Sequence, residues 1–199
     1  MKILPSTYLG SVEYFAHLLD GECIIDIGEH FIKRSERNRT RIMTANGVLP
    51  LTVHVRNANR PRTPVRDIRI DYSKRWQHQH RIAVISAYRS SPYFDHYAPH
   101  LLPLFERRFD FLTDLNFAFT ERLLDLSHIE RRYEVSETYV EPADGLLDLR
   151  AKGGESNFCC PPYYQLFSDR FDFAPNLSFL DLLFAEGPGA VNILRRCRR

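Results

Sequence analysis

The opening 27 residues constrain the fold more than any other part of the chain. Lys2-Ile3-Leu4 reads as a short strand, residues 5–11 as a turn, and residues 12–19 as a helix closed by Asp20-Gly21. Cys23-Ile24-Ile25-Asp26-Ile27 follows as a second, buried strand. A helix between two short strands returns the chain to the same end of the sheet. The strands therefore pair in parallel, through a right-handed crossover. Ligands of such units sit beyond the carboxyl ends of the strands, which places residues 5–10 and Gly28-Glu29-His30 on one rim. Neither G-x-G-x-x-G nor a Walker A sequence occurs, which disfavours a dinucleotide or P-loop site.

Charge is segregated along the 199 residues. Residues 1–32 carry net −4, residues 33–89 net +11 and residues 90–199 net −5. Arginine at this density favours phosphate or carboxylate ligands, because the planar guanidinium matches both. The competing reading is a solvated basic face closed by the acidic flanks.

The basic segment enters a hairpin. Asn46-Gly47 supplies the positive φ angles of a two-residue turn between residues 41–45 and 48–55. In that register Ile42 faces Leu51 and Thr40 faces Val53 toward the core, and Arg37, Arg39 and Arg41 share the other side with Thr52 and His54. Pro50 conflicts with this register, since its absent N–H falls opposite Met43. Residues 56–66 hold Pro61 and Pro64, lack periodicity and read as a mobile loop. Residues 67–71 alternate as a strand.

Residues 76–88 form the central helix. Trp76, His80, Ala83, Val84, Ala87 and Tyr88 recur at steps of three and four and share one face, and Pro92 marks the stop. His78 lies ~200° around the axis from His80. Residues 93–99 read as a linker, and residues 101–126 as helix with a break near Asp110. Residues 130–157 read as strand fragments and loops, and Ser178 as the cap of a helix through Phe184. Residues 194–199 read as a frayed cationic tail. The fold class expected is mixed α/β: an N-terminal β-α-β unit, an Arg-rich hairpin, a central helix and a helical C-terminal half. Residues 1–199 are expected to form one domain, with an α/β part containing a basic cleft to residue 95 and a mainly helical part from residue 96.

Cys23, Cys159, Cys160 and Cys197 show no C-x-x-C spacing and read as reduced thiols of a reducing compartment. No segment has the length of apolar residues needed to cross a bilayer, so a cytoplasmic protein without membrane insertion is expected. No metal is expected, since His78 and His80 diverge on a helix and His96 and His100 converge only if Pro99 tolerates one. His80 is either a hydrogen-bonded core histidine or a general acid or base. Glu29 and Asp26 near a strand end are either a carboxylate site or the paired acids that commonly follow a strand.

Several further motifs recur in a fixed order along the chain. They run from Pro5-Ser6-Thr7-Tyr8 with Tyr14-Phe15, through Glu29-His30-Phe31-Ile32-Lys33, Arg37-Asn38-Arg39 and Ala45-Asn46-Gly47, to Trp76-Gln77-His78-Gln79-His80 and Ser86-Ala87-Tyr88. They continue with Tyr163-Tyr164-Gln165 and Pro175-Asn176-Leu177-Ser178. In this order they resemble the WbqC-like family, and the resemblance implies a bacterial protein of surface-polysaccharide gene clusters. It carries over no reaction and no cofactor. In a more distant branch of the family a Trp and a His of the central helix remain, matching Trp76 and His80, and His30 stands where many relatives have Asn.

The resulting expectation is a transferase acting on an anionic, nucleotide- or sugar-linked small molecule by acyl, aminoacyl or nucleotidyl transfer. His80 would move a proton. Tyr8, Glu29, Lys33, Arg37, Asn38, Arg39, Trp76, His78 and Tyr88 would contact substrate, the cations stabilising developing negative charge. A nucleic-acid-binding module and a noncatalytic scaffold of a polysaccharide assembly complex are the alternatives. Against the first, only Phe31 and Tyr72 lie near the basic segment to stack on bases.

Overall fold

A computed structural model describes residues 1–56, 62–151 and 157–198. β1 (Lys2–Pro5), α1 (Val12–Asp20) and β2 (Cys23–Asp26) form the expected unit, with Ile3 opposite Ile24 and Leu4 opposite Ile25 in a parallel pair. Ser11 caps α1 by accepting from the Tyr14 amide at 3.3 Å, and Gly21, at φ 75°, ends it. β5 (Tyr133–Ser136) pairs with the free side of β2, and β6 (Leu147–Asp148) with that of β1. All three pairings are parallel, in the order β5-β2-β1-β6. The second half of the chain thus completes the sheet of the first, and the strand ends left open gather on one side.

The hairpin comprises β3 (Arg39–Thr44) and β4 (Gly47–Thr52), and its register differs from the one expected. Thr44 pairs with Gly47, Ile42 with Leu49 and Thr40 with Leu51, so Ala45 and Asn46 make the turn and of the expected pair only Gly47 takes a positive φ, 96°. The cause is Pro50. The observed register sets it opposite Arg41, at a wide pair where backbone amides point outward, instead of opposite Met43, where an N–H is needed. Because the register moves by two, the faces survive: Thr40, Ile42 and Leu51 are buried and Arg41 is exposed. Arg37, expected in the same outer row, precedes the strand and turns inward.

α2 (Trp76–Tyr88) buries Trp76, His80, Val84, Ala87 and Tyr88, the expected stripe. The segment expected as a linker instead begins α3 (Phe94–Glu106), with Pro99 and Pro103 inside it. Each proline removes one helical bond, and the buried face of Phe94, Tyr97, Ala98, Leu101 and Phe105 holds the helix regardless. α4 (Leu112–Leu126) follows. Residues 67–71 are not a strand: a single 3₁₀ turn, Val65–Asp67, leads into isolated bridges of Arg69 with Phe111 and Ile70 with Val55. The amides there divide between two neighbours, Ile70 donating to the Asp110 carbonyl and Asp71 to that of His54, so no ladder forms. Of the loop expected to be mobile, residues 57–61 lie outside the described residues. Its far end is pinned where the Val65 amide donates to the Glu29 carbonyl and the Phe31 amide to that of Thr63.

Ser178 caps α5 (Phe179–Glu186) as expected. The terminal segment is no frayed tail. α6 (Ala190–Arg196) packs on α1 and buries Leu194, Cys197 is buried beyond it, and Arg198 pairs with Cys159. No helix among the described residues is long and apolar enough to cross a membrane.

Candidate functional site

A cleft of about 840 Å³ opens at the carboxyl ends of β1 and β6, between the N-terminus of α1 and the start of the hairpin. Leu4 and Pro5 end one strand at its wall, and Asp148 to Arg150 end the other. Ser11, Glu13 and Tyr14 enter from α1, and Arg34, Glu36, Arg39 and Arg41 from the basic segment. Asn176 and Ser178, far along the chain, close it.

Two carboxylates organise the interior. Glu13 accepts from the Asn176 side-chain amide at 2.7 Å, and its own amide donates to the Asn176 carbonyl oxygen Oδ1 at 3.0 Å. Glu36 is an exposed residue lining the cleft, and it accepts from the Ser11 hydroxyl. Burial first, then repulsion from Glu13, raises the Glu36 carboxyl above its ordinary value, while Arg41, Ser11 and Arg37 pull it back. Arg41 donates to the Asn176 backbone carbonyl at 3.2 Å, and Arg39 to the Thr52 hydroxyl at 2.8 Å. A carboxyl group with raised proton affinity and several guanidinium groups therefore share one hollow. That combination can hold an anion and move a proton beside it.

The residues expected to form the site are distributed through several layers. Arg37 reaches the cleft wall, but its donors are spent inside the protein: two go to the Glu29 carboxylate, one to the Arg150 carbonyl at 2.9 Å and one to the Ser35 hydroxyl at 3.3 Å. Glu29 lies behind it as the other half of this pair, and burial raises its carboxyl against the pull of Arg37. Arg150 plays the same internal part with Asp26 and Asp148. Asn38 is buried beneath the hairpin and donates to the Val53 carbonyl at 3.0 Å. Lys33 and His78 are on the exposed surface.

Trp76, His80 and Tyr88 lie in the core. Trp76 is 1% exposed and donates to the Asp71 carbonyl at 3.0 Å. Tyr88 donates to Asp181 at 3.0 Å and accepts from the Met43 amide at 3.2 Å. Tyr8 belongs to the cleft wall but is 0% exposed, and its hydroxyl sits 2.9 Å from His80 Nδ1. His80 also interacts with the backbone of Thr52. Burial, then His54, lowers the imidazole from 6.5 to about 4. The ring thus stands one residue behind the cleft, neutral and with Nδ1 bonded to Tyr8. Glu13, Arg34, Glu36, Arg41 and Asn176 were absent from the expected site. Glu13 and Glu36 show no sequence signal beyond an acid in the first turn of a helix and an acid among arginines. Among the described residues no group of three or more His, Cys, Asp or Glu side chains could hold a metal ion.

The model of the WbqC-like protein family matches residues 6–162. The chain belongs to that family. The matched span holds Tyr8, Glu13, the cleft arginines from Arg34 to Arg150, and the Trp76–His80 pair, whereas Asn176 lies beyond it. The chain is also similar to the uncharacterized protein Rv1507c of Mycobacterium tuberculosis (strain ATCC 25618 / H37Rv). The two are 28% identical over 230 aligned positions, which cover 100% of this chain and 99% of that protein. No solved structure matches the chain.

Proposed function

We propose that this WbqC-like chain is a transferase that binds an anionic small molecule, nucleotide- or sugar-linked, in the cleft at the strand ends. The observation that carries the reading is the meeting of Glu36 with Arg34, Arg39 and Arg41 in a hollow of about 840 Å³, within the ~300–1,000 Å³ typical of metabolite sites. The guanidinium groups hold phosphate or carboxylate and offset negative charge developing during transfer. Glu36, whose proton affinity is raised by burial and by Glu13, accepts the proton of the attacking hydroxyl or amine. Glu13 is fixed by Asn176 and sets the local field. The Tyr8–His80 pair supports the wall from behind and keeps Tyr8 in place beneath the ligand. Acyl, aminoacyl and nucleotidyl transfer all fit this arrangement, and surface-polysaccharide metabolism is the setting that the family resemblance brings to it.

A thermal-shift screen of the full chain against nucleotides, sugar nucleotides and acyl donors tests the reading. A ligand present at ~100 times its Kd stabilises the native form by ~2.7 kcal/mol and raises the midpoint. Arg41→Ala should abolish that rise. Absence of any shift with millimolar members of these classes overturns the reading. So does tight oligonucleotide binding with a steep salt slope, which marks a nucleic-acid module instead.

A further inference from the structure

The four cysteines take no part in the cleft chemistry, yet two of them are set opposite one another. Cys159 and Arg198 exchange both backbone hydrogen bonds, each at 2.9 Å, which defines a closely bonded antiparallel pair. One step inward along both segments comes Cys160 opposite Cys197, at the position where such pairs bring Cα atoms to ~4.5 Å. The exposure pattern agrees with this register: Cys159 and Arg198 face solvent, and Cys160 and Cys197 are 5% and 6% exposed. The two inner thiols are near enough to interact with each other. Each also reaches a local carbonyl, Cys160 that of Pro161 and Cys197 that of Ile193, both at 3.4 Å. A disulfide needs Cα atoms ~4.4–6.8 Å apart and side chains directed toward each other, and a directly opposed pair in this register is compatible with both.

We propose that Cys160 and Cys197 are a redox-sensitive dithiol that closes to an intramolecular disulfide and staples the end of α6 to the cleft wall. The consequence for the site follows from position. Asn157 and Phe158, directly before the pair of cysteines, line the cleft, and α6 packs on α1, whose first turn carries Glu13. Closing the bond ties one wall to the layer that supports another.

The oxidant is a low-molecular-weight disulfide. One inner cysteine, as thiolate, attacks it to form a mixed disulfide and expels the first small thiolate. The second inner cysteine then attacks the protein sulfur, forming the Cys160–Cys197 bond and expelling the second. The two protein thiols give up two electrons and two protons, which leave as two small-molecule thiols. Contact with Cys197, then burial, keeps the Cys160 thiol well above its ordinary value, so closure is slow at neutral pH and accelerates with alkalinity.

The full chain is incubated with oxidised glutathione, its thiols are counted, and non-reduced peptides are mapped by mass spectrometry. The titre should fall from four thiols to two. A Cys160–Cys197 cross-linked peptide should appear, and reductant should restore the original titre. Cys159→Ser should keep the cross-link, and Cys160→Ser and Cys197→Ser should each abolish it. Amide exchange across residues 157–160 and 190–198 should slow on oxidation in the wild-type chain, a readout independent of whether the variants fold. A stable titre of four, a cross-link through Cys159, or stable glutathione adducts with no internal bond would each overturn the proposal.

Discussion

Acidification isolates the part played by His80. The folded state holds this imidazole at about 4 against 6.5 when solvated. A protonated ring would have to leave water and lie near His54. The unfolded chain therefore binds the proton first. The stability that His80 contributes is complete above pH 6.5 and is lost as pH falls toward about 4. At ~1.36 kcal/mol for each pH decade between those values, the loss comes to roughly 3 kcal/mol. For a chain of this length that is about 10 °C in Tm, at ~2–4 °C for each kcal/mol. Urea unfolding followed by the fluorescence of the single tryptophan, Trp76, at intervals from pH 7.5 to pH 4, measures it. His80→Gln keeps a polar side chain in the wall but cannot titrate. The difference in unfolding free energy between wild type and variant should be flat above pH 6.5 and then shrink by ~3 kcal/mol on the way down. Carboxylates common to both proteins cancel in that difference. Parallel curves for the two proteins would refute the argument, because they would mean that the ring is as easily protonated in the fold as in water. Turnover supplies the complementary check: a buried neutral ring bonded to the Tyr8 hydroxyl supports Tyr8, so His80→Gln at neutral pH should raise KM far more than it lowers kcat.

Three further outcomes follow from the site. Glu36→Gln should lower kcat/KM by ~10²–10⁴. The same change should leave the protein equally or more stable at pH 7, because the raised Glu36 carboxyl favours the fold only while protonated, and that contribution disappears as pH rises through its folded value. Glu29→Leu strands the Arg37 guanidinium, 2% exposed, and should cost about 3–5 kcal/mol by chemical denaturation; Glu29→Leu with Arg37→Met should recover more than half, and additive losses would contradict a coupled pair. Ser178→Ala removes the cap accepting from Leu180 and a bond to the Leu9 carbonyl at 3.0 Å, so a loss of ~1–2 kcal/mol is expected by the same assay.

Local chemistry was sufficient to place the first β-α-β unit, the central helix and its buried stripe, and the Ser178 cap. In each case the signal is a periodicity or a cap that acts over a few residues. The hairpin was legible as a hairpin, but its register depended on where a missing N–H could be tolerated, and Pro50 moved the pairing by two without exchanging its faces. The arginines were visible in sequence, and their division of labour was not. Arg37 differs from Arg39 and Arg41 because Glu29 and the Arg150 carbonyl lie within reach of it. His80 was legible as a helix-face residue with two possible roles, and burial against Trp76 and Tyr8 placed it behind the cleft. The joining of Glu13 to Asn176, of Ser11 to Glu36, and of Cys160 to Cys197 is decided by tertiary structure alone. Side-chain types and short-range spacing are written along the chain, whereas burial, and with it the proton affinity of a carboxyl or an imidazole, exists only once distant segments have closed around the group.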